Sequence, residues 1–409
     1  MWNKIIILIK EPYRKVVNSI AFYPAIFTLV FLVLSYFSIL FDFSEQGREL
    51  KREMEWMGLR DASTARSIAS AIVAGLISLT VFSFSMVMIV LNQTASQMSN
   101  RILDSLIGSR FQQTVLGIYI GTIVYALFLL TMVVDSDSQE RVPIISTYLL
   151  IILTIIDLFI FIYFLHYITQ SVKYEVIIER AHKKTLASMK AYCKLEEAPD
   201  ELPLPQNGPL IPAHRSGIFL GFNEKTLVEM GDAHDCIFYF LQNRGSYVME
   251  GMPLVKANKQ LSEEQKEKVS NSIFLPLSES IEENYLYGFR QLSEVAIKAL
   301  SPGINDPGTA VLSLRVMFQL LSFHMSHHPK NKIVNTNNQL RVVSPKTPIE
   351  DIFHAMVVPI WDYGNEDRTI QQELYNLVSQ FQTIYSPKLM SRLLEDIKTK
   401  MKKRVLDPR

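Results

Sequence analysis

Small and polar side chains recur at helical spacing between residues 67 and 99 of this 409-residue chain. At about 100° per residue, with Ser78 as the reference, they fall within roughly 40° of one line along a helix. The opposite side carries bulky residues such as Leu76 and Val87. Hydroxyl and amide groups on one face of an apolar helix predict contact with water or with another helix. The stripe consists of Ser67, Ala71, Ala74, Ser78, Ser85, Asn92 and Ser96.

Two bulky apolar residues, Phe82 and Ile89, lie within roughly 40° of the same line. A narrow apolar constriction in a polar lumen excludes water and ions, so we predict that these two residues form a gate. One helix cannot enclose a pore, and the interpretation therefore requires a ring of identical helices in a cyclic homo-oligomer. Close packing against another helix explains the small residues equally well, and the stripe leaves both interpretations open.

One acidic residue, Asp157, lies inside an apolar segment. Intramembrane acids are costly and commonly serve as proton or cation relays. The structural alternative is a buried carboxyl group bonded to a hydroxyl such as that of Thr122 or Thr154. Since no second acid or base stands at a similar depth, the sequence favours the structural alternative.

A second intramembrane feature is the pair Gly117 and Gly121, four residues apart in GIYIG. Small residues at this spacing allow another helix to approach closely. We therefore predict that this face packs the third apolar helix on a neighbour.

The string SPGINDPG, residues 301–308, combines prolines and glycines around Asn305 and Asp306. Both side chains can cap a helix that begins near Pro307. The functional alternative is a ligand loop that presents Asp306 beside Arg290 of the preceding helix. His324, His327 and His328 could share a helical face, although their place before Pro329 favours a solvated helix end over a metal site.

The chain shows no nucleophile-and-base set, zinc spacing or nucleotide fingerprint. We therefore predict no catalytic residues, no metal, no cofactor and no enzyme activity. The formal net charge of +1 offers no basic surface for nucleic acid.

Four apolar runs must position these residues, at 20–41, 67–99, 115–134 and 142–168. Each is long enough to cross a bilayer as a helix. The predicted fold is a membrane all-α bundle of four helices followed by a cytoplasmic α+β domain. Residues 1–197 form the transmembrane domain with a helical extension, and 198–214 form a proline-rich linker. Residues 215–409 form the second domain, β-rich over 215–256 and mainly helical over 276–409.

Basic residues predict the orientation of the helices. The first 19 residues, the turn after the second helix and the segment after the fourth are rich in Lys and Arg, whereas the loop between the third and fourth helices is acidic. By the positive-inside rule, we expect both termini to lie in the cytoplasm. We expect the protein to reside in the inner membrane of the cell. Cys193 and Cys236 both fall on the cytoplasmic side, where we expect reduced thiols.

Several strings resemble a known family. ALSPGINDPGTA follows YGFRQLSEVAIK, and LNQTASQMSNRILDSLIGSRFQQTVLGIYIGTIVY runs from the end of the second helix into the third. With IYFLHYI, SGIFLGFN and YVMEGMPLV, these resemble predicted bacterial membrane proteins grouped as domain of unknown function 2254. One departure is Glu282-Glu283, where that family more often has Gln-Asp. The resemblance implies the architecture and no established activity.

These features together favour an ion channel, a cyclic homo-oligomer whose helix 67–99 lines the pore and whose cytoplasmic domain gates or assembles it. Its partners would be the lipid bilayer, further copies of the chain and inorganic ions. The alternative is a non-conducting sensor or scaffold whose cytoplasmic domain binds a ligand or a partner protein.

Overall fold

The structure, a computed structural model, describes residues 19, 21–53, 61–97, 110–133, 142–194, 204–205, 207–385 and 388–406. The chain divides into two compact units between Lys173 and Tyr174. The charged segments that predict the orientation, at 1–18, 101–104 and 135–141, lie outside the described residues, as does the first part of the predicted linker.

The first unit consists of helices. They are α1 (Phe22–Phe43), α2 (Glu45–Glu53), α3 (Ala62–Gln97), α4 (Arg110–Met132) and α5 (Ile144–Ser171). Among the described residues, four helices, α1, α3, α4 and α5, are long and apolar enough to cross a membrane, which confirms the four predicted spans. An uninterrupted helix is the form in which one segment satisfies its own backbone in lipid.

Helix α3 starts at Ala62, whereas the predicted start is residue 67. Asp61 caps this end, because its carboxylate accepts hydrogen bonds from the amides of Ser63 (3.1 Å) and Thr64 (3.2 Å). Arg66, the charge that ends the apolar run, donates to the carbonyl of Val133 at 3.0 Å, just beyond α4. A charged residue at this end of the helix therefore has a partner.

The core of the first unit lies between α1, α4 and α5. Phe31, Tyr125, Leu129 and Leu150 form its centre and are almost fully buried. A second cluster joins Tyr119 of α4 to residues of α5. Helix α3 contributes one side of its surface to these clusters.

The second unit begins with α6 (Tyr174–Tyr192). The predicted helical extension of the fourth span is a separate helix, and it is grouped with the second unit. Within that unit it packs closely, because Thr185 of α6 lies directly against Gly288. Sequence periodicity shows no interruption at this point.

The second unit contains a five-stranded mixed sheet. Its strand order is β10 (Lys332–Val334), β11 (Leu340–Val343), β5 (Phe238–Phe240), β7 (Pro253–Ala257) and β2 (Leu210–Pro212), and the β11–β5 pair is parallel. Strand β2 comes from the predicted linker, so the end of that linker is an edge strand of the sheet. The strands are β1 (Cys193–Lys194), β2 (Leu210–Pro212), β3 (Gly217–Ile218), β4 (Gly221–Phe222), β5 (Phe238–Phe240), β6 (Tyr247–Val248), β7 (Pro253–Ala257), β8 (Ile273–Phe274), β9 (His328–Pro329), β10 (Lys332–Val334) and β11 (Leu340–Val343).

Helices α7 (Glu224–His234) and α8 (Glu263–Asn271) pack against this sheet. The remaining helices pack mainly on one another and on α6, and they are α9 (Tyr285–Ala299), α10 (Pro307–Ser326), α11 (Ile349–Met356), α12 (Val358–Gly364), α13 (Arg368–Tyr385) and α14 (Lys388–Leu406). Helix α8 was not predicted, although Ser262 and Gln265 form a capping box that marks its start. The arrangement confirms the predicted α+β class.

Candidate functional site

Helix α3 presents two different faces to its surroundings. Ala65, Ala69, Leu76 and Ser83 lie on a side that is buried within the subunit. The opposite side is the predicted stripe, and it is exposed at the surface of the subunit over Ser67, Ala71, Ala74, Ser78, Ser85 and Asn92. The side chain of Ser96 lies outside the described residues. The stripe therefore takes no part in packing α3 within its own subunit.

The hydroxyl groups of the stripe have partners in their own helix. Ser67, Ser78 and Ser85 donate to the carbonyls four residues earlier at 2.8, 3.0 and 2.9 Å. Each hydroxyl hydrogen is thus used locally, and the oxygen lone pairs stay available on the exposed face. Such a face can offer acceptors to water or to a cation.

The two gate candidates lie on this exposed face. Phe82 is 51% exposed and Ile89 is 60% exposed. The ring of Phe82 meets Phe161 of α5 edge-on, with 5.9 Å between centroids. Phe82 is therefore held on one side by its own subunit, whereas Ile89 projects outwards.

The small-residue pair of α4 packs against α1. A Cβ added at Gly117 would lie 2.8 Å from the ring of Phe27, and one added at Gly121 would lie 2.7 Å from the ring of Phe31. The neighbour is thus the first helix of the same subunit. The two glycines accept aromatic rings rather than a second row of small residues.

Asp157 is fully buried halfway along α5. Thr122, one of its two predicted partners, adjoins it. The Thr122 hydroxyl donates to the carbonyl of Ile118 at 3.1 Å, and Thr154 donates to the carbonyl of Leu150 at 2.8 Å. Among the described residues, neither carboxylate oxygen of Asp157 has a hydrogen-bond partner of ordinary geometry.

The SPGINDP loop caps α10. Asp306 accepts from the Thr309 amide at 3.2 Å and from its hydroxyl at 2.6 Å, and Pro307 opens the helix. Asn305 adopts a left-handed backbone with φ of 50°. Burial, together with the charge of Asp306, raises the pKa of Tyr174 at the start of α6. The loop therefore lies beside the first residue of α6.

Arg290 lies apart from the SPGINDP loop along α9. It lies in the second turn of α9, about 14 Å along the helix from the loop. Its guanidinium group pairs with Glu279, which also accepts from the Asn284 side chain at 2.8 Å. Arg290 and the SPGINDP loop therefore stand at different levels along α9.

A buried polar group links Cys193, Tyr285 and His324. The Tyr285 hydroxyl lies 3.5 Å from Nε2 of His324. Burial raises the pKa of the Cys193 thiol to about 11, raises that of Tyr285 and lowers that of His324. A thiol that remains protonated is a poor nucleophile.

The other two histidines diverge from His324. The His327 ring stacks on Phe323 with 3.9 Å between centroids, and His328 belongs to β9. Within the described part of the chain, no three His, Cys, Asp or Glu residues are grouped to hold a metal ion.

Sequence reasoning missed an ion pair at one end of α1. Asp42 is fully buried, pairs with Lys51 of α2 and accepts from the Ser146 amide of α5 at 2.7 Å. Lys51 also lies over the Phe43 ring at 5.3 Å. The pair joins three helices, and its only sequence signal is an acid immediately after an apolar run.

Comparison with known proteins gives a family. Residues 17–380 match the family described as "Predicted membrane protein (DUF2254)". Two relatives, the uncharacterized proteins Mb1321c of Mycobacterium bovis and Rv1290c of Mycobacterium tuberculosis, are each 22% identical over 328 residues. These matches cover 77% of this chain and 63% of each relative, so the chain spans less than two thirds of their length. No solved structure matches the chain. The chain therefore belongs to the DUF2254 family and is a membrane protein with transmembrane helices.

Proposed function

We propose that the protein is a pore-forming ion channel, built as a cyclic homo-oligomer in which α3 lines the pore. The observation that carries this proposal is the division of α3 into two faces. Leu76 and Ser83 are buried at 2% and 4% exposure, while Ser78 and Ser85 lie on the exposed side. A stripe that is polar and left uncovered by its own subunit is suited to face water at the axis of a ring.

In this proposal Phe82 and Ile89 narrow the pore and exclude water when it is closed. Both side chains are more than half exposed and project from the same face as the serines. The contact of Phe82 with Phe161 connects the constriction to α5. A displacement of α5 would therefore move one of the two gate residues.

We further propose that both termini lie in the cytoplasm, with the protein in the inner membrane of the cell. The supporting observation is the asymmetry of basic residues between the two sides. The α+β unit is then cytoplasmic and gates or assembles the pore. The partners are lipid, further copies of the chain and inorganic ions.

Ion flux through purified protein in liposomes tests the gate. Replacing Ile89 or Phe82 with Ser should raise the flux, because water would then occupy the constriction and lower the barrier. Phe84→Ser is the matched control, since Phe84 is 56% exposed but lies about 120° from the stripe. Unchanged flux in both gate variants, or a ring with α3 away from the axis, would refute the proposal.

The second candidate is a non-conducting sensor or scaffold. The supporting observation is an open groove of about 610 Å³ between α10 and α13, lined by Arg315, Gln319, Glu373, Asn376 and Tyr385 among others. Arg315 pairs with Glu373 through two hydrogen bonds of 2.7 and 3.0 Å. A protein that conducts no ions, yet is stabilised by a small polar ligand that fails to stabilise Arg315→Ala, would favour this candidate.

A further inference from the structure

A carboxyl group lies at the centre of the first unit. Asp157 is 0% exposed and stands midway between the ends of α5. Each end of the helix is about 20 Å away. Ionised groups at such depth are costly and seldom occur without a role.

Three helices meet around this carboxyl group. From α4, Thr122 adjoins Asp157 and Tyr119 lies within reach of its charge. From α3, Ser83 lies beside the Tyr119 hydroxyl. Among the described residues, the hydroxyls of Ser83 and Tyr119 have no hydrogen-bond partner of ordinary geometry, and neither does the carboxyl group. The pocket is therefore polar, and these groups find no partner among the described residues.

No positive charge balances Asp157 among the described residues of the four long helices. The other charged residues lie near helix ends: Asp42 in α1, Arg66 in α3 and Arg110 in α4. His166 of α5 is exposed and is nine residues further along, on the opposite side of the helix. A carboxylate in this position would be an uncompensated buried charge, which is strongly unfavourable.

We propose that Asp157 is an intramembrane proton-binding site, and that the nearby hydroxyls of Tyr119 and Thr122 are the groups that can hydrogen-bond to its protonated form. The bound species is one proton, which forms an O–H bond on a carboxylate oxygen and neutralises the group. The Thr122 hydroxyl already donates to Ile118, so its lone pairs are available to accept from the protonated acid.

A proton fits this pocket better than a metal ion. Divalent cations take six or more oxygen ligands, and monovalent ions in membrane interiors are commonly held by carbonyls of unwound helices. Helices α3, α4 and α5 are continuous at this level. The pocket offers one carboxyl group and a few hydroxyls.

The site lies behind α3, on the side opposite the exposed stripe. It is therefore independent of the proposed channel activity. Binding of a proton would relieve the buried charge between α3, α4 and α5, and loss of the proton would loosen their packing.

Labelling of the full-length protein in liposomes with dicyclohexylcarbodiimide tests the proposal, because this apolar reagent adds to protonated carboxyl groups within membranes. Peptide mass spectrometry should find the adduct on Asp157 at neutral pH. The yield should fall about tenfold for each pH unit above the titration midpoint. Asp42 is an internal control, since it is equally buried but paired with Lys51 and should stay unlabelled.

Two further arms complete the experiment. Asp157→Asn should lose the adduct while keeping the helical circular dichroism of the parent protein, because the amide imitates the neutral acid. Excess sodium chloride should leave labelling unchanged. Absence of the adduct in folded protein, labelling that ignores pH, or protection by sodium would each overturn the assignment to a proton site.

Discussion

The ring of Phe31 on α1 lies directly against Gly121 of α4, where an added Cβ would stand 2.7 Å from it. Gly121→Ala should therefore lower the thermal stability of the purified protein, since overpacking a filled site costs about 1–3 kcal/mol. Gly75→Ala is the matched control, because Gly75 has no neighbour within 4 Å of its added Cβ. Equal melting temperatures for the two variants would contradict the packing described here.

The second prediction concerns the helix cap at Asp306. Asp306→Ala should cost about 1 kcal/mol of stability, because the Thr309 amide loses its acceptor. Asp306→Asn keeps a capping oxygen and should stay close to the parent protein in a thermal melt. If Asp306→Ala melts normally but changes ion flux or ligand-dependent stabilisation, the loop serves a ligand or gating rather than the cap.

The third prediction concerns the buried ion pair. Lys51→Met should lower stability by roughly 3 kcal/mol, because it leaves Asp42 charged and unpaired in a buried position. Adding Asp42→Asn should restore most of the loss, since the amide oxygen can still accept from Ser146. Chemical denaturation of the three variants measures both effects. A double variant no better than Lys51→Met would show that the two residues act independently.

The fourth prediction is a pH dependence of stability. Burial lowers the pKa of His324 below its ordinary value of 6.5, and His328 and Lys346 nearby lower it further. Below pH 6.5 the unfolded chain therefore binds more protons than the folded one, so stability falls as the pH falls in this window. His324→Asn should reduce that slope without removing it, because burial also lowers the pKa of His182 and His328.

Melting temperatures from pH 8 to pH 5 test this prediction. Above pH 7.5 the two profiles should run parallel, because neither state protonates residue 324 there to any extent. An unchanged slope between pH 6.5 and 5 in the variant would assign the acid sensitivity to other groups.

Much of the first unit is predictable from the sequence, for a physical reason. Uncharged runs of about 20 residues have few alternatives to a transmembrane helix. The ends of the helices are less predictable, because they depend on distant partners. Arg66 lies inside α3, where the carbonyl of Val133 accepts from it. In α6, the helix that follows the break before Tyr174, Thr185 packs against the distant Gly288.

Some features of the candidate sites are predictable from the sequence, and others depend on contacts between distant residues. Helical periodicity alone identifies the stripe of α3, and an acid in an apolar run identifies Asp157. Periodicity cannot show that Ser83 and Tyr119 approach Asp157, because three separate helices bring them together. The ligand-loop alternative set Asp306 beside Arg290, and the structure places Arg290 in the second turn of α9, about 14 Å along the helix from the loop.

In the proposed channel, the stripe of α3 faces a water-filled pore. Cysteine substitutions at Ser85 and Ser83 test this placement most directly, since the two residues are two positions apart but lie on the exposed and the buried face. Each is changed to Cys in a chain whose two native cysteines, both buried, are replaced by Ser. Liposome ion flux is then measured before and after a charged, membrane-impermeant methanethiosulfonate is added.

The reagent should reduce flux through Ser85→Cys to near background, because a bulky charged adduct would fill the lumen. Flux through Ser83→Cys should not change, because that side is packed within the subunit. Absence of flux in the parent protein, or equal insensitivity of the two variants, would contradict the account.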